Sequence, residues 1–449
     1  MNYNDFKKCV MDAALEKGLA EYELYYTESE DLGASAMLHE IQKFTTAVDA
    51  GACFRCIFDG KMGYASTELF TEEEAIRIVE AAIQNAIAIE SEDMVFIHEA
   101  GDTYQEVEKA DVTEPTGAQL IELVRTLEES LYTKDNRVVE GSQTFASFGR
   151  VRTALCNSKG LDLSCEYACS DLIATVIVSE QGAKYSQGEM QVGDFSELDA
   201  EKLANITVEK ALANIGTESV NSGIYNIVLA KDVVTSLFAT FCSIFSADAA
   251  QHGLSLFAGK EGEKVANELV TIVDDPFCKD TCIRMPFDGE GVATYTKNIV
   301  EHGTLCTLMH NLTTAHKAGV KSTGNGRKSG YASGVNIMPY NFYIAKGGAG
   351  TCEDIFKTIG TGIYITELNG LHAGANAVTG DFSLASEGFW IEDGEKRHAV
   401  KNFTISGNFY ELLHKISLVG DDLEFQAPNG GCCFGSPTIM IKDISVAGK

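Results

Sequence analysis

The sequence predicts an α+β protein that is built from two unlike halves. Its 449 residues are too many for one small hydrophobic core, so two domains are expected. Helical and strand periods alternate through the first half, whereas strands and frequent glycines dominate the second. We therefore predict an N-terminal α/β domain over residues 1–216, with a mixed sheet and flanking helices. A glycine-rich, mainly β domain with few helices is expected over residues 217–449.

The N-terminal half opens with a helical pattern over residues 5–15 and continues with strands over residues 21–66. An Asp-Gly pair at residues 59–60 separates two apolar runs, which is typical of a two-residue hairpin turn. Residues 71–74 read Thr-Glu-Glu-Glu, the spacing of a capping box, and predict the start of a second helix. A third helix is predicted from residue 115, because leucine and valine recur along one of its faces up to residue 131.

A change of texture marks the expected domain boundary. Residues 196–199 cap one more helix, which ends near Ile215, and the polar segment 216–223 follows it. Beyond this segment the apolar runs are short and bounded by turn residues, which favours strands. Helical patterns there are predicted over residues 232–250, 351–359 and 408–416.

Composition and charge exclude several classes of function. The net charge is −30, and no cluster of lysine and arginine could gather phosphate groups, so direct binding of nucleic acid is not expected. The first residues show no signal-peptide pattern, and no apolar run is long enough to cross a bilayer. The thirteen irregularly spaced cysteines suit reduced thiols. A cytoplasmic protein without membrane contact is expected.

Two glycine-rich segments could bind a ligand. In "STGNGRKSGYASG", residues 322–334, we single out Gly324, Asn325 and Arg327, because glycine exposes the backbone and arginine holds carboxylates. A solvated turn explains this segment equally well. In the second segment, residues 368–390, the polar groups stand close to glycines, and two β-turns compete with a substrate-lining loop. The candidate residues there are Asn369, His372, Asn376 and Asp381.

Several stretches of the second half resemble the TldD/PmbA family, once labelled modulators of DNA gyrase. The clearest are "HNLTTAHKAGVKSTGNGRKSGYAS" (310–333), "LNGLHAGANAVTGDFSLASEGFWIEDGE" (368–395) and "ISLVGDDLEF" (416–425). The resemblance implies a peptidase with two kinds of subunit, which form dimers. One kind carries His-Glu-x-x-x-His after an apolar helix and binds the catalytic metal, whereas the other, called PmbA or TldE, lacks this motif.

The motif positions of this chain carry other residues. Laying "FSADAAQ" over the motif puts Ser246 at the first histidine, Ala247 at the glutamate and Gln251 at the second histidine. His252 lies one residue further on and is kept as a candidate for peptide binding. Serine and glutamine are poor zinc ligands, and alanine cannot move a proton. The resemblance therefore implies a subunit without metal or other cofactor, with zinc expected only in its partner.

Three functions remain open at this point. The first is the non-catalytic subunit of a two-component peptidase that takes unfolded peptides and pairs with a metal-bearing subunit or with itself. The second is an active peptidase with a different ligand set, for instance His252 with Cys432 or Cys433. The third is a regulatory module that binds another protein.

Overall fold

The computed structural model describes residues 1–90, 94–107, 112–428 and 430–449, and it confirms the predicted α+β class. The first half forms one sheet. Its strands are β1 (Glu21–Met37), β2 (Glu40–Phe58), β3 (Lys61–Thr67), β4 (Gln143–Asn157), β5 (Asp162–Glu180) and β6 (Ala183–Gly193). They lie in the order β3-β2-β1-β4-β5-β6.

The pairings of this sheet are antiparallel throughout, so the expected mixed sheet is wrong. Two-residue turns at residues 38–39, 59–60 and 181–182 join consecutive strands, and a chain that reverses over two residues can only pair antiparallel. The hairpin predicted at residues 59–60 is confirmed, and both of its turn residues have positive φ angles.

Four α-helices flank the N-terminal sheet in the described residues. They are α1 (Tyr3–Glu16), α2 (Glu72–Ala88), α3 (Gly117–Lys134) and α4 (Ala200–Ala213), with a short 3₁₀-helix at Phe195–Glu197. Thr71 caps α2 as predicted by accepting the Glu74 N–H at 3.2 Å, but the Glu74 carboxylate binds Thr67 and Arg77 instead of completing the box. The helices α1 and α2 cover one apolar cluster of the sheet, and α3 and α4 cover another.

The second half contains two larger sheets. Its strands are β7 (Gly223–Leu229), β8 (Ile272–Asp274), β9 (Lys297–Glu301), β10 (Thr304–Leu305), β11 (Gly326–Arg327), β12 (Asn336–Ile337), β13 (Asn341–Ile344), β14 (Gly362–Asn369), β15 (Asp381–Glu392), β16 (Glu395–Asn408), β17 (Ile416–Val419), β18 (Glu424–Phe425), β19 (Cys433–Ser436) and β20 (Ile439–Ala447). One sheet has the order β10-β9-β8-β13-β19-β18 and the other β16-β15-β14-β7-β20-β17. The pairs β13–β19 and β14–β7 are parallel, so the mixed pairing occurs here.

The helices of this half are short. They are α5 (Lys231–Phe241), α6 (Ala247–Gln251), α7 (Leu312–Ala318), α8 (Cys352–Ile359), α9 (Leu371–Gly374) and α10 (Phe409–Lys415), with a 3₁₀-helix at Cys242–Phe245. The single helix predicted over residues 232–250 is wrong, because Ser246 has an extended backbone and interrupts it. Phenylalanines of α5 and its 3₁₀ extension fill the core between the two sheets, where Phe241 stacks on Phe409. None of the described helices combines the length and apolarity that a membrane crossing requires.

Candidate functional site

The three motif positions all have structural contacts. The Ser246 hydroxyl caps α6 by accepting the N–H of Ala249 at 3.5 Å. Ala247 is only 1% exposed, and its backbone N–H donates to the Met309 carbonyl. Gln251 donates its side-chain amide to the Thr314 carbonyl at 2.8 Å and so ties α6 to α7. Each residue therefore stabilises the local fold.

These contacts do not fit the zinc ion that the resemblance implies for the other kind of subunit. A serine hydroxyl that caps a helix and an amide that donates to a carbonyl supply no ligand of the kind that zinc prefers, and alanine supplies none. Across residues 1–90, 94–107, 112–428 and 430–449, no group of three or more His, Cys, Asp or Glu is placed to hold a metal ion. We therefore derive no catalytic step through a metal in this chain.

The alternative ligand set receives no support from the geometry. His252 follows α6, is largely exposed, and directs its Nδ1 towards the Asp248 carbonyl at 2.9 Å. Cys432 is buried, and its thiol donates to the Pro339 carbonyl at 3.0 Å. Burial also raises the pKa of the Cys432 thiol, which disfavours the thiolate that metals bind.

Residues 323–326 of the first glycine-rich segment are buried where we expected exposure. Asn325 is 0% exposed, and its amide donates to Asp274 at 2.7 Å and to the Met338 carbonyl at 3.0 Å. Gly324 is also buried, with a φ of 68°, and a Cβ there would lie 2.9 Å from the carbonyl of Ala293. Asn325 and Gly324 therefore shape the loop and offer a peptide no side-chain surface.

The second group of candidates is exposed on the connection from β14 to β15. Its members are Asn369, His372, Asn376 and Asp381. Asn376 accepts the backbone N–H groups of Val378 and Thr379, and Asp381 accepts the Asn408 amide at 2.9 Å. These hydrogen bonds stabilise turns, as expected from the alternative that explained this segment by two β-turns. None of the four lines the cavity, described below, that contains Arg327.

A cluster of buried charged residues joins the two halves of the molecule. We call it the interdomain charge cluster; its members are Glu23, Arg55, Asp288, Glu290 and Lys328. Glu23 of β1 accepts from Arg55 of β2 at 2.7 Å, and Arg55 reaches Glu290 of the second half at 4.0 Å. The N-terminal sheet thus contacts the loop before β9 through ions that are almost completely removed from water.

Burial strongly affects how this cluster holds protons. Asp288 accepts the N–H groups of Glu290, Val292 and Gly326, yet burial, followed by the nearby Glu290, raises its pKa well above 3.8. Burial, followed by the neighbouring Arg55 cation, lowers the pKa of Lys328. The Lys328 ammonium lies over the ring of Tyr25 at 4.4 Å and finds no hydrogen-bond acceptor among the described residues.

Next to this cluster lies a cavity of about 370 Å³ between the two halves. We call it the Arg327 cavity. Its floor and walls include four tyrosines, two cations and a glycine pair, namely Tyr25, Tyr167, Tyr331, Tyr340, Arg327, Lys328, Gly430 and Gly431. The guanidinium of Arg327 stacks on the ring of Tyr340, with 4.3 Å from its central carbon to the ring centre. Of the predicted binding residues, Arg327 is the one that this cavity contains.

A larger cavity of about 1090 Å³ shares Tyr167 with the first. Its walls carry cations and acids from both halves, among them Arg150, Glu166, Lys279 and Arg284. A cavity of this size can enclose several residues of an extended chain. The two cavities thus lie side by side between the two halves of the molecule.

Sequence reasoning missed most of this interface. A usable signal was present, because Glu23 and Arg55 are charged residues inside the apolar runs "YELYY" and "CFRCIF". A charge within an otherwise buried strand indicates a partner across the core. The identity of that partner depends on the way the two halves pack, which the local pattern does not contain.

Comparison with known proteins then identifies the family. Family models described as the PmbA/TldA metallopeptidase domain 1, central domain and C-terminal domain match residues 22–86, 110–215 and 222–448. The last of these covers more than half of the chain. The chain belongs to the PmbA/TldD metallopeptidase family.

Solved and curated PmbA/TldD relatives resemble this chain over nearly their whole length. The crystal structure of a Thermotoga maritima protein, a "putative modulator of a DNA gyrase", is 30% identical with a TM-score of 0.90, covering 99% of this chain and 100% of that one. TldE from Thermococcus kodakarensis is 25% identical with a TM-score of 0.91, covering 98% and 99%. The metalloprotease PmbA of Escherichia coli O157:H7 is 24% identical over 95% of this chain and 92% of its own.

Proposed function

We propose that this chain is a metal-free subunit of the PmbA/TldD family that binds peptides for a metal-bearing partner. The observation that carries the proposal is the set of contacts at Ser246, Ala247 and Gln251, where a cap, a buried methyl group and an amide bridge replace the catalytic groups. The likeness to a protein named TldE supports the same assignment.

The interdomain cavities support a role in holding peptide. They are concave, they combine aromatic rings with charged groups, and the larger one has the size of an extended segment. The work we assign to this chain is binding and orientation of an unfolded peptide in the cytoplasm, while the partner supplies the zinc and the water-activating glutamate. A homodimer is the form expected when the partner is absent.

The test is reconstitution with a His-Glu-x-x-x-His family member from the same organism. We expect the two chains to co-elute in size-exclusion chromatography and to cleave an unfolded peptide together at least tenfold faster than either chain alone. The matched control replaces the glutamate of the partner's motif, which should abolish cleavage and leave the complex intact. If no complex forms, or if cleavage is unchanged by this chain, the proposal fails.

The two alternatives give different results in the same preparation. A self-sufficient peptidase would contain about one zinc per chain and cleave peptide alone, and metal analysis of the pure protein decides this. A regulatory module would bind another protein and leave cleavage by the motif-bearing partner unaltered.

A further inference from the structure

Arg327 is a cation without an anion. Its Nη1 donates to the Pro339 carbonyl at 2.6 Å and approaches the Cys432 sulfur at 3.4 Å. Among the described residues, no carboxylate lies within ion-pair distance of it, and its Nε and Nη2 groups donate to no acceptor. A guanidinium has five N–H groups in a planar fork, so most of its donor capacity remains available on the cavity side.

The surroundings of Arg327 keep this fork accessible. Gly431 has a φ of 75°, and a Cβ at this position would lie 2.7 Å from Nη2 of Arg327, so a side chain there would cover the free donors. The hydroxyl of Tyr340 is buried without a hydrogen-bond partner in the described structure. The Lys328 ammonium, likewise unpartnered, lies in the same wall. These two groups are themselves closed off from the cavity space, so the unused N–H groups of Arg327 are the donors that point to an anionic ligand.

None of the described acids that line the cavity forms an ion pair with this fork. Asp288 accepts three backbone N–H groups, and Glu28 accepts the hydroxyl of Tyr26 at 2.8 Å. Asp49 lies exposed on β2 and forms no ion pair within the described structure. The positive charge of Arg327 is therefore not neutralised by a neighbour.

We propose that the Arg327 cavity binds the C-terminal carboxylate of a peptide through the Arg327 guanidinium. This inference rests on the proposed function, since it names the group of the peptide that this chain recognises. The α-carboxylate is a planar anion that every unmodified peptide carries, so a site for it accepts unfolded chains of any sequence. The fork geometry of arginine matches it with two parallel hydrogen bonds. The smaller cavity suits the end of a chain, and the larger cavity beside it suits the residues that precede this end.

The test compares peptides that differ only at the C-terminus. Binding to the full chain is measured by isothermal titration calorimetry for a tetra-alanine peptide with a free carboxylate, for its C-terminal amide, and for an amidated peptide with an internal glutamate. We expect the free acid to bind at least tenfold more tightly than either amide, because charge-assisted bonds to the fork are lost in both. Equal affinity for acid and amide, recovery of affinity by the internal glutamate, or no binding of any peptide would each overturn the inference.

A variant pair locates the effect. Arg327→Gln should bind acid and amide equally, whereas Arg397→Gln, on the exposed hairpin where Arg397 pairs with Glu395 at 2.7 Å, should keep the tenfold preference. A preference that survives Arg327→Gln would contradict the assignment. The comparison of peptides on the unmodified protein stands even if Arg327→Gln misfolds. If the chain joins its partner and accelerates cleavage but ignores the C-terminus, this inference fails while the proposed function holds.

Discussion

The segment at residues 246–251 and the Arg327 cavity are two polar regions whose side chains are used in opposite ways. In the segment, every polar side chain at a motif position serves the fold, as the Gln251–Thr314 bond shows. In the cavity, Arg327 and Lys328 pack on tyrosine rings, but Lys328 has no hydrogen-bond acceptor among the described residues and Arg327 uses only its Nη1. Polar groups that complete a fold find partners within it, and groups kept for a ligand do not.

This contrast indicates which polar region of the chain is suited to a ligand. A helix cap stabilises the fold without any ligand. A buried unpaired cation lowers stability unless an anion neutralises its charge. Lys328 is such a cation, and the half-buried Arg327 beside it has no ion-pair partner among the described residues. Three substitutions test the contrast, beginning with the one expected to have the largest effect.

Lys297→Met should destabilise the protein by about 3–5 kcal/mol, because it leaves a completely buried carboxylate without its cation. Lys297 donates to Asp274 at 2.9 Å, and Asp274 also accepts from Asn325 and from the Tyr340 N–H. Urea unfolding measures the change. Lys357→Met, which breaks the exposed pair with Asp354, is the matched control and should lower the unfolding free energy by less than about 1 kcal/mol. Similar losses in both variants would show that the Asp274 pair is not a structural support of the cavity.

Ser246→Ala should lower the unfolding free energy by about 0.5–1 kcal/mol, because α6 loses its N-cap. The loss is expected to be small for a cap because the hydrogen bond from the Ala249 N–H to the Ser246 hydroxyl is long, at 3.5 Å. The same unfolding experiment on Ser243→Ala provides the control. Ser243 is an exposed serine in the preceding 3₁₀-helix, and its change should stay within about 0.5 kcal/mol. If Ser246→Ala costs nothing, the motif position is not used by the fold, and the contrast with the cavity weakens.

Lys328→Met should leave stability unchanged or raise it slightly, because an apolar chain of similar length can cover the Tyr25 ring without a desolvated charge. The sign of its pH dependence follows from the lowered pKa of Lys328. The unfolded chain binds the lysine proton more tightly than the folded one, so the wild type gains stability relative to the variant as pH rises from the folded pKa towards 10.5. Thermal unfolding of both proteins along a pH series measures this difference. A wild type whose stability falls relative to that of Lys328→Met as pH rises would contradict the prediction.

The sequence predicted the elements that depend on neighbours along the chain. The hairpin at residues 59–60, the cap at Thr71 and the helix that follows Thr351 each need only a few adjacent residues, and the structure contains all three. The α+β class was predictable for the same reason, because it sums such local signals. The domain division at residue 216 stays a prediction.

The sequence predictions were wrong where contacts with residues distant in the chain determine the local structure. Asn325 was predicted to face a ligand because glycines surround it, but Asp274, 51 residues earlier in the chain, draws it inside. Ser246 was predicted to lie within a helix because apolar residues precede it, but its backbone pairs with Met309 and leaves the helical path. The binding role of Arg327 stays a prediction. The tyrosines around it include residues of β1, β5 and the segment before β13, and no local pattern joins them.

The position of β7 in its sheet has a consequence for synthesis of the chain. This strand, at residues 223–229, opens the second half but pairs with β14 on one side and with β20 on the other. Residues 439–447 must therefore leave the ribosome before β7 has both of its neighbours. All six strands of the N-terminal sheet have been synthesised by residue 193. This sheet can therefore form before the second half is translated. While the second half of the chain is being translated, β7 therefore keeps an unpaired edge. A chaperone or another nascent chain can pair with this edge.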